Sequence, residues 1–149
     1  MKVERDQDSR GQTPTEVEGQ MKVSIVVFSP SGNTLEVGRM LEEHLSMRGA
    51  DVQLLDVTGD ETLFRERESS RFLAENVRPH DVLCIGGPVY AHHMHYSVLD
   101  LIKALPRPGN GWGRFAIPFV TYGTVSSGIA LEDAAKLLRK TGRSPVFVI

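Results

Sequence analysis

Val23-Ser24-Ile25-Val26-Val27-Phe28 followed by Ser29-Pro30-Ser31-Gly32-Asn33-Thr34 is the stretch that decides the fold. Six residues that are apolar but for one serine read as a strand buried on both faces, as in a parallel sheet. The next six are hydroxyls, one amide, one proline and one glycine, and an amphipathic helix follows. A strand, a tight turn and a helix in that order present backbone N–H groups and hydroxyls to an anion at the helix N-terminus. The turn holds no Lys or Arg, and the nearest following one is Arg39. An anion bound there is held by hydrogen bonds and the helix dipole, not by an ion pair. Taken alone, the same residues also make an ordinary N-cap, because Ser, Asn and Thr are favoured there.

Outward from this turn, strands and helices alternate. Thr34 to Arg48 is predicted as a helix that buries Leu35, Val37, Met40, Leu41 and Leu45, with Gly49 as its stop. Val52 to Val57 is a second strand. Thr58 to Arg78 is charged and poorly periodic, and reads as a short or irregular helix anchored by Leu63, Phe64, Phe72 and Leu73. Val82 to Gly87 is a third strand, Tyr96 to Leu105 a helix, and Phe115 to Thr121 a fourth strand. That strand carries Pro118 near its middle, which is unusual for a central position. Gly128 to Lys140 is an Ala- and Leu-rich helix, and Ser144 to Ile149 a fifth strand. Alternation with long crossovers predicts an α/β fold with a parallel sheet covered on both faces.

Composition narrows the function classes. A chain of 149 residues with 40% hydrophobic and 24% charged content fits one soluble globular domain. A formal net charge of −2 provides no basic footprint for nucleic acid. No apolar run approaches the roughly 20 residues that span a bilayer, and the polar N-terminus has no signal-peptide core. Residues 1–20 hold Lys2, Arg5 and Arg10 against five acidic residues and show no hydrophobic period. They are expected to be disordered or flexible, with the folded domain running over 21–149. Cys84 is the single cysteine, flanked by Val82-Leu83 and Ile85, and reads as an inert core thiol. It can neither pair internally nor hold an iron–sulfur cluster. A cytoplasmic location fits these features.

In an open parallel sheet, ligands bind beyond the carboxyl ends of the strands, at the switch in strand order. Three loops fall there: Ser29 to Thr34, Gly87 to His93, and Thr121 to Gly128. Ser29, Ser31, Gly32 and Thr34 match the fixed positions of the phosphate loop of the flavodoxin superfamily, with Asn33 at its variable one. The resemblance covers Met21 to Ile149, and it implies an open five-stranded sheet in the order 2-1-3-4-5 with FMN as cofactor. It implies that Ser29, Pro30, Ser31, Gly32, Asn33 and Thr34 take the phosphate. Pro88, Val89, Tyr90, Ala91 and His92 on one side and Thr121, Tyr122 and Gly123 on the other would sandwich the ring, with Tyr90 the best candidate for contact.

The stretch from Ile85 to Ile149 is similar to flavodoxin domains found alone or fused to a two-cluster ferredoxin in anaerobes. No ferredoxin module is present, and the superfamily's final helix has no counterpart in the sequence. The chain therefore reads as a fragment of a longer product, or as one whose fifth strand is covered otherwise.

The function implied is electron transfer with a redox partner protein, either ferredoxin-type or a reductase, with no catalytic side chain. Two alternatives stand beside it: an NAD(P)H-dependent quinone or nitro reductase, commonly a homodimer, and a cofactor-free interaction domain on the same fold. His92, His93 and His95 form one further cluster. Adjacent loop imidazoles rarely converge on a metal unaided, so an electrostatic role beside a ring that gains negative charge on reduction, or simple solvation, is the expectation.

Overall fold

The computed structural model describes residues 19–60, 66–123 and 126–146. The expectations for residues 1–18, for Leu63 and Phe64, for Thr124 and Val125, and for the last three residues of the fifth strand lie outside them. Among the described residues, ten elements follow one another. They are β1 (Lys22–Val27), α1 (Asn33–Met47), β2 (Asp51–Asp56), α2 (Glu66–Asn76), β3 (Val82–Tyr90), β4 (His93–Met94), α3 (Tyr96–Ala104), β5 (Phe115–Thr121), α4 (Ala130–Lys140) and β6 (Ser144–Pro145). The sheet path is β2-β1-β3-β5-β6, all parallel, with β4 pairing antiparallel to β3. Apart from the added β4, this is the order 2-1-3-4-5 that the resemblance implies.

Period-two alternation along the central strands divides the core into two layers. Val23, Ile25 and Val27 of β1 and Cys84 of β3 face α1, where Leu35, Leu41 and Leu45 pack on them. Val26 of β1, Leu83 and Ile85 of β3 and Ala116 of β5 face the other way. There they meet Leu73 of α2, Val98, Leu101 and Ile102 of α3, and Ala130, Ala134 and Leu138 of α4. Among the described residues, helices therefore cover both faces, one on the first and three on the second.

Three local differences from the sequence-based expectation have physical causes. The segment read as a short or irregular helix contains the 11-residue helix α2, with Phe72 and Leu73 packed inward as expected, and its inward positions also include the polar Ser69 and Ser70. Ser69 is buried, and the Ser70 hydroxyl donates to the Ala104 carbonyl at 2.7 Å. Serines on the buried face hide the hydrophobic period. Pro118 stands in a central strand because of its side. Ala116 accepts the Val146 N–H at 2.7 Å, so Pro118, two residues on, turns its missing N–H to the same outer flank. The described ladder to β6 pairs only Phe115 and Ala116, so no bond of that ladder is lost.

The third difference is at the site. Strand β3 runs on past Gly87 to Tyr90, and the chain reverses through a two-residue hairpin into β4, with Val89 opposite Met94 and Tyr90 opposite His93. Both turn residues, Ala91 (φ 47) and His92 (φ 69), take left-handed backbone angles. Such hairpins usually advertise themselves by Asn-Gly or Asp-Gly. Ala-His carries no such signal, and the segment reads from sequence as a loop.

Candidate functional site

The first turn is organised by its own residues. Gly32 has φ 86, a left-handed angle that glycine alone adopts freely, and it serves as the N-cap of α1. The Ser29 hydroxyl accepts the Leu35 N–H at 2.8 Å, and the Gly32 carbonyl accepts the Glu36 N–H at 3.1 Å. Asn33 and Thr34, the first two helical residues, have N–H groups with no carbonyl one turn back to receive them. Ser31, Gly32 and Asn33 are exposed, and Ser29 and Thr34 are buried. The donors are backbone amides and an exposed hydroxyl on a helix start, which is the chemistry that suits a phosphate dianion.

A residue absent from the sequence-based set supports this turn. The Ser29 N–H donates to the Thr58 hydroxyl at 2.6 Å, and the Thr58 N–H donates to the Asp56 carboxylate at 2.9 Å. Thr58 follows β2, whose loop is not one of the three expected to carry chemistry. A hydroxyl one residue past the buried Val57 is its only sequence signal.

The second and third loops converge on the same end of the sheet. Pro88 lies opposite Thr121 in the β3–β5 register, so the ends of these strands are neighbours. The Thr34 and Thr121 hydroxyls are 2.7 Å apart, tying the start of α1 to the end of β5. Tyr90 and Tyr122, just beyond those strand ends, are 70% and 57% exposed. Val89 is half-buried, while Ala91, His92 and Gly123 are exposed. Large aromatic rings left in solvent at the carboxyl end of a parallel sheet suit a planar ligand.

The hairpin is clamped to the segment before α4. The Ile129 N–H donates to the His92 carbonyl at 2.8 Å, and His93 Nδ1–H donates to Asp133 Oδ2 at 2.7 Å. Gly128 (φ 57) lies against His92 so closely that a Cβ there would stand 2.3 Å from the His92 carbonyl oxygen.

The three histidines go separate ways. His95 caps α3, its Nδ1 accepting the Ser97 N–H at 3.1 Å, which requires an unprotonated nitrogen. Its ring lies among Phe28 (4.8 Å), Tyr96 (4.3 Å) and Tyr90 (5.5 Å, edge-on), and burial pushes its pKa down. Both features favour the neutral form of His95. His93 is held by Asp133, and His92 is exposed at the tip. No group of three or more His, Cys, Asp or Glu among the described residues is placed to hold a metal ion.

No family model matches the chain, and no curated protein matches it. Solved structures do. An archaeal flavodoxin superposes with a TM-score of 0.58 at 20% identity, over 86% of this chain and 80% of that one. An NADH:FMN oxidoreductase in its apo form gives 0.64 at 20% identity, over 84% and 72%. A flavodoxin variant from Fusobacterium nucleatum bound to flavin mononucleotide gives 0.56 at 12% identity, over 85% and 68%. With these neighbours and the strand order β2-β1-β3-β5-β6, the chain has the flavodoxin-like fold.

Proposed function

We propose that this chain is an FMN-binding redox protein that passes electrons to a partner protein. One observation carries the reading. A cation-free helix-start turn with outward amide donors is bonded, through Thr34 and Thr121, to a strand end flanked by exposed Tyr90 and Tyr122. This arrangement supports a phosphate site next to a ring site, with one hydrogen bond joining their supports.

The Ser31 hydroxyl and the N–H groups of Asn33 and Thr34 bind the phosphate, with Ser29, Pro30 and Gly32 shaping the turn. Pro88, Val89, Tyr90, Ala91 and His92 line one side of the ring, and Thr121, Tyr122 and Gly123 the other. When bound, the flavin supplies the redox chemistry, and the protein supplies position, access and partner. The hairpin clamp through Ile129 and Asp133 fixes the height of Tyr90. Tyr90 and Tyr122 limit water at the ring while leaving an edge for an incoming protein, of ferredoxin or reductase type. No helix among the described residues is long and apolar enough to cross a membrane, and the cytoplasm is the proposed place of action.

A reductase reading has one observation in its favour, the structural likeness to an NADH:FMN oxidoreductase. Stopped-flow mixing of the FMN-loaded protein with NADH and NADPH separates the two. An electron carrier is reduced slowly at micromolar pyridine nucleotide. Rapid reduction, together with a dimeric mass in solution, would establish the reductase instead.

A further inference from the structure

The geometry points to a proton-operated latch at the end of the sheet opposite the flavin loops. His80 and Arg143 hold the loop between α3 and β5 shut while His80 is neutral, and protonation of His80 releases it. The latch does not depend on the flavin reading.

Strands β3, β5 and β6 are parallel neighbours, so the segments that lead into them meet at one edge. The lead into β5 contains a small hairpin. Gly109 and Trp112 exchange both backbone hydrogen bonds, at 2.8 and 3.0 Å, across left-handed Asn110 (φ 51) and Gly111 (φ 90). Two such angles in succession make the primed turn that favours a tight hairpin. This hairpin is gripped from two sides. From the β3 side, the His80 N–H donates to the Gly111 carbonyl at 2.9 Å, and the His80 ring stands edge-on to Trp112 at 5.1 Å. Gly113 approaches so closely that a Cβ there would run into the Asp81 and His80 carbonyl oxygens. From the β6 side, the Arg143 guanidinium lies 5.6 Å from the Trp112 ring centroid and donates to the Pro106 carbonyl and the Thr141 hydroxyl.

Both gripping side chains are buried, His80 at 6% and Arg143 at 3% exposure. Each keeps one nitrogen without a partner among the described residues, His80 Nε2 and Arg143 Nε. His80 Nδ1–H donates to the Arg78 carbonyl at 2.8 Å, so the neutral ring presents a bare lone pair on Nε2. Protonation puts a buried N–H there with no acceptor, which is costly. It also sets a second positive charge against Arg143, which has no carboxylate partner among the described residues. The one opposing charge that acts on His80 is the Asp81 carboxylate, which is exposed and accepts the Lys22 N–H at 2.9 Å. Burial and Arg143 prevail, and the closed form resists the proton. Swinging the hairpin into water gives Nε2–H a partner and screens the two charges. Each unit by which the closed-form pKa lies below the open-form pKa makes opening about tenfold more favourable once the ring is protonated. The latch is therefore shut above pH 6.5 and opens as pH falls through the folded pKa of His80.

Trp112 is the one tryptophan of the chain, so it reports this loop without a label. The test follows its emission and its quenching by acrylamide in the full chain from about pH 7.5 to about pH 5, with far-UV circular dichroism alongside. Expected is a one-proton transition centred below pH 6.5, with emission moving to the red and the quenching constant rising about twofold or more, while the dichroism is retained. His80→Gln, which cannot take up a proton, shows neither change. Asp81→Asn removes the opposing charge, keeps an acceptor for the Lys22 N–H, and moves the midpoint to lower pH.

Flat emission and quenching in wild type would overturn the latch. A transition that persists in His80→Gln would assign the proton to another group and overturn it as well. So would loss of dichroism in step with the Trp112 change, because that is global unfolding. Should His80→Gln not fold, NMR titration of the His80 ring in wild type and Asp81→Asn decides. A midpoint below 6.5 that falls further in Asp81→Asn and coincides with the Trp112 transition upholds the proposal, and any other result refutes it.

Discussion

Replacing Gly128 by Ala tests whether the hairpin and the segment before α4 form one rigid unit. The new Cβ would stand 2.3 Å from the His92 carbonyl oxygen and 2.7 Å from both His92 Cα and Cβ. The oxygen and Cα are backbone atoms of a turn already held at φ 69, so no flexible side-chain tip can yield. Three costs add. Ala at φ 57 costs roughly 1–2 kcal/mol. Overpacking costs about 1–3 kcal/mol. Stretching the Ile129 to His92 hydrogen bond costs about 1 kcal/mol. The sum is about 3–6 kcal/mol. For a domain of this size each kcal/mol is worth about 3–4 °C of Tm, so a fall of roughly 10–20 °C is expected. Gly49→Ala isolates the backbone part, because Gly49 has φ 91 but nothing within 4 Å of its Cβ position. That variant should lose only about 3–8 °C. Thermal melting of the apoproteins by circular dichroism, with FMN titration alongside, reads both. A Gly128→Ala melt within about 2 °C of Gly49→Ala, with flavin affinity unchanged, would refute the clamp.

The remaining predictions concern the phosphate turn, the core and pH. Ser31→Ala should weaken FMN about 3- to 10-fold and leave riboflavin unchanged, as isothermal titration would show; equal losses would count against the phosphate assignment. Cys84, which faces α1 from β3, has its thiol pushed up to about 11 by burial. A disulfide reagent at pH 8 should label it only after denaturant is added, and rapid labelling of native protein would contradict its place in the core. Burial also lowers the pKa of His80 below 6.5, against the opposing pull of its bond to the Arg78 carbonyl. The unfolded chain then binds the proton more readily than the folded one. The stability due to neutral His80 is therefore complete above pH 6.5 and is lost as pH falls through its folded pKa. Chemical denaturation should give a lower unfolding free energy at pH 5 than at pH 7, with the difference reduced in His80→Gln; a flat profile for wild type would refute this.

What was legible in the sequence was whatever side-chain pattern alone decides. The apolar runs Val23 to Phe28 and Val82 to Gly87 and the Ala/Leu period of the fourth helix fix the alternation, and right-handed crossovers then leave few topologies. Strand β5 emerges with the predicted ends, Phe115 and Thr121, and the prediction that Pro118 is odd there was sound. Its resolution needed the neighbouring register, which no local pattern carries. A short helix was read in the segment that holds α2, but its bounds were obscured because Ser69 and Ser70 sit where a hydrophobic residue is expected. The hairpin was obscured because Ala91 and His92 hold angles their side chains disfavour, against the grip of Ile129 and Asp133 from the segment ahead of α4 and its first turn. At the candidate site, the residues on the first turn could be read from their types. The link from Thr34 to Thr121 and the support of Ser29 by Thr58 join residues 87 and 29 positions apart, and only the folded sheet brings them together.

The most direct test of the central claim is the absorption spectrum of the protein after incubation with FMN and removal of free ligand on a desalting column. The account predicts retained flavin bands near about 370 and 450 nm at a stoichiometry of one FMN per chain, with riboflavin retained far less. A colourless protein that is folded by circular dichroism would contradict it.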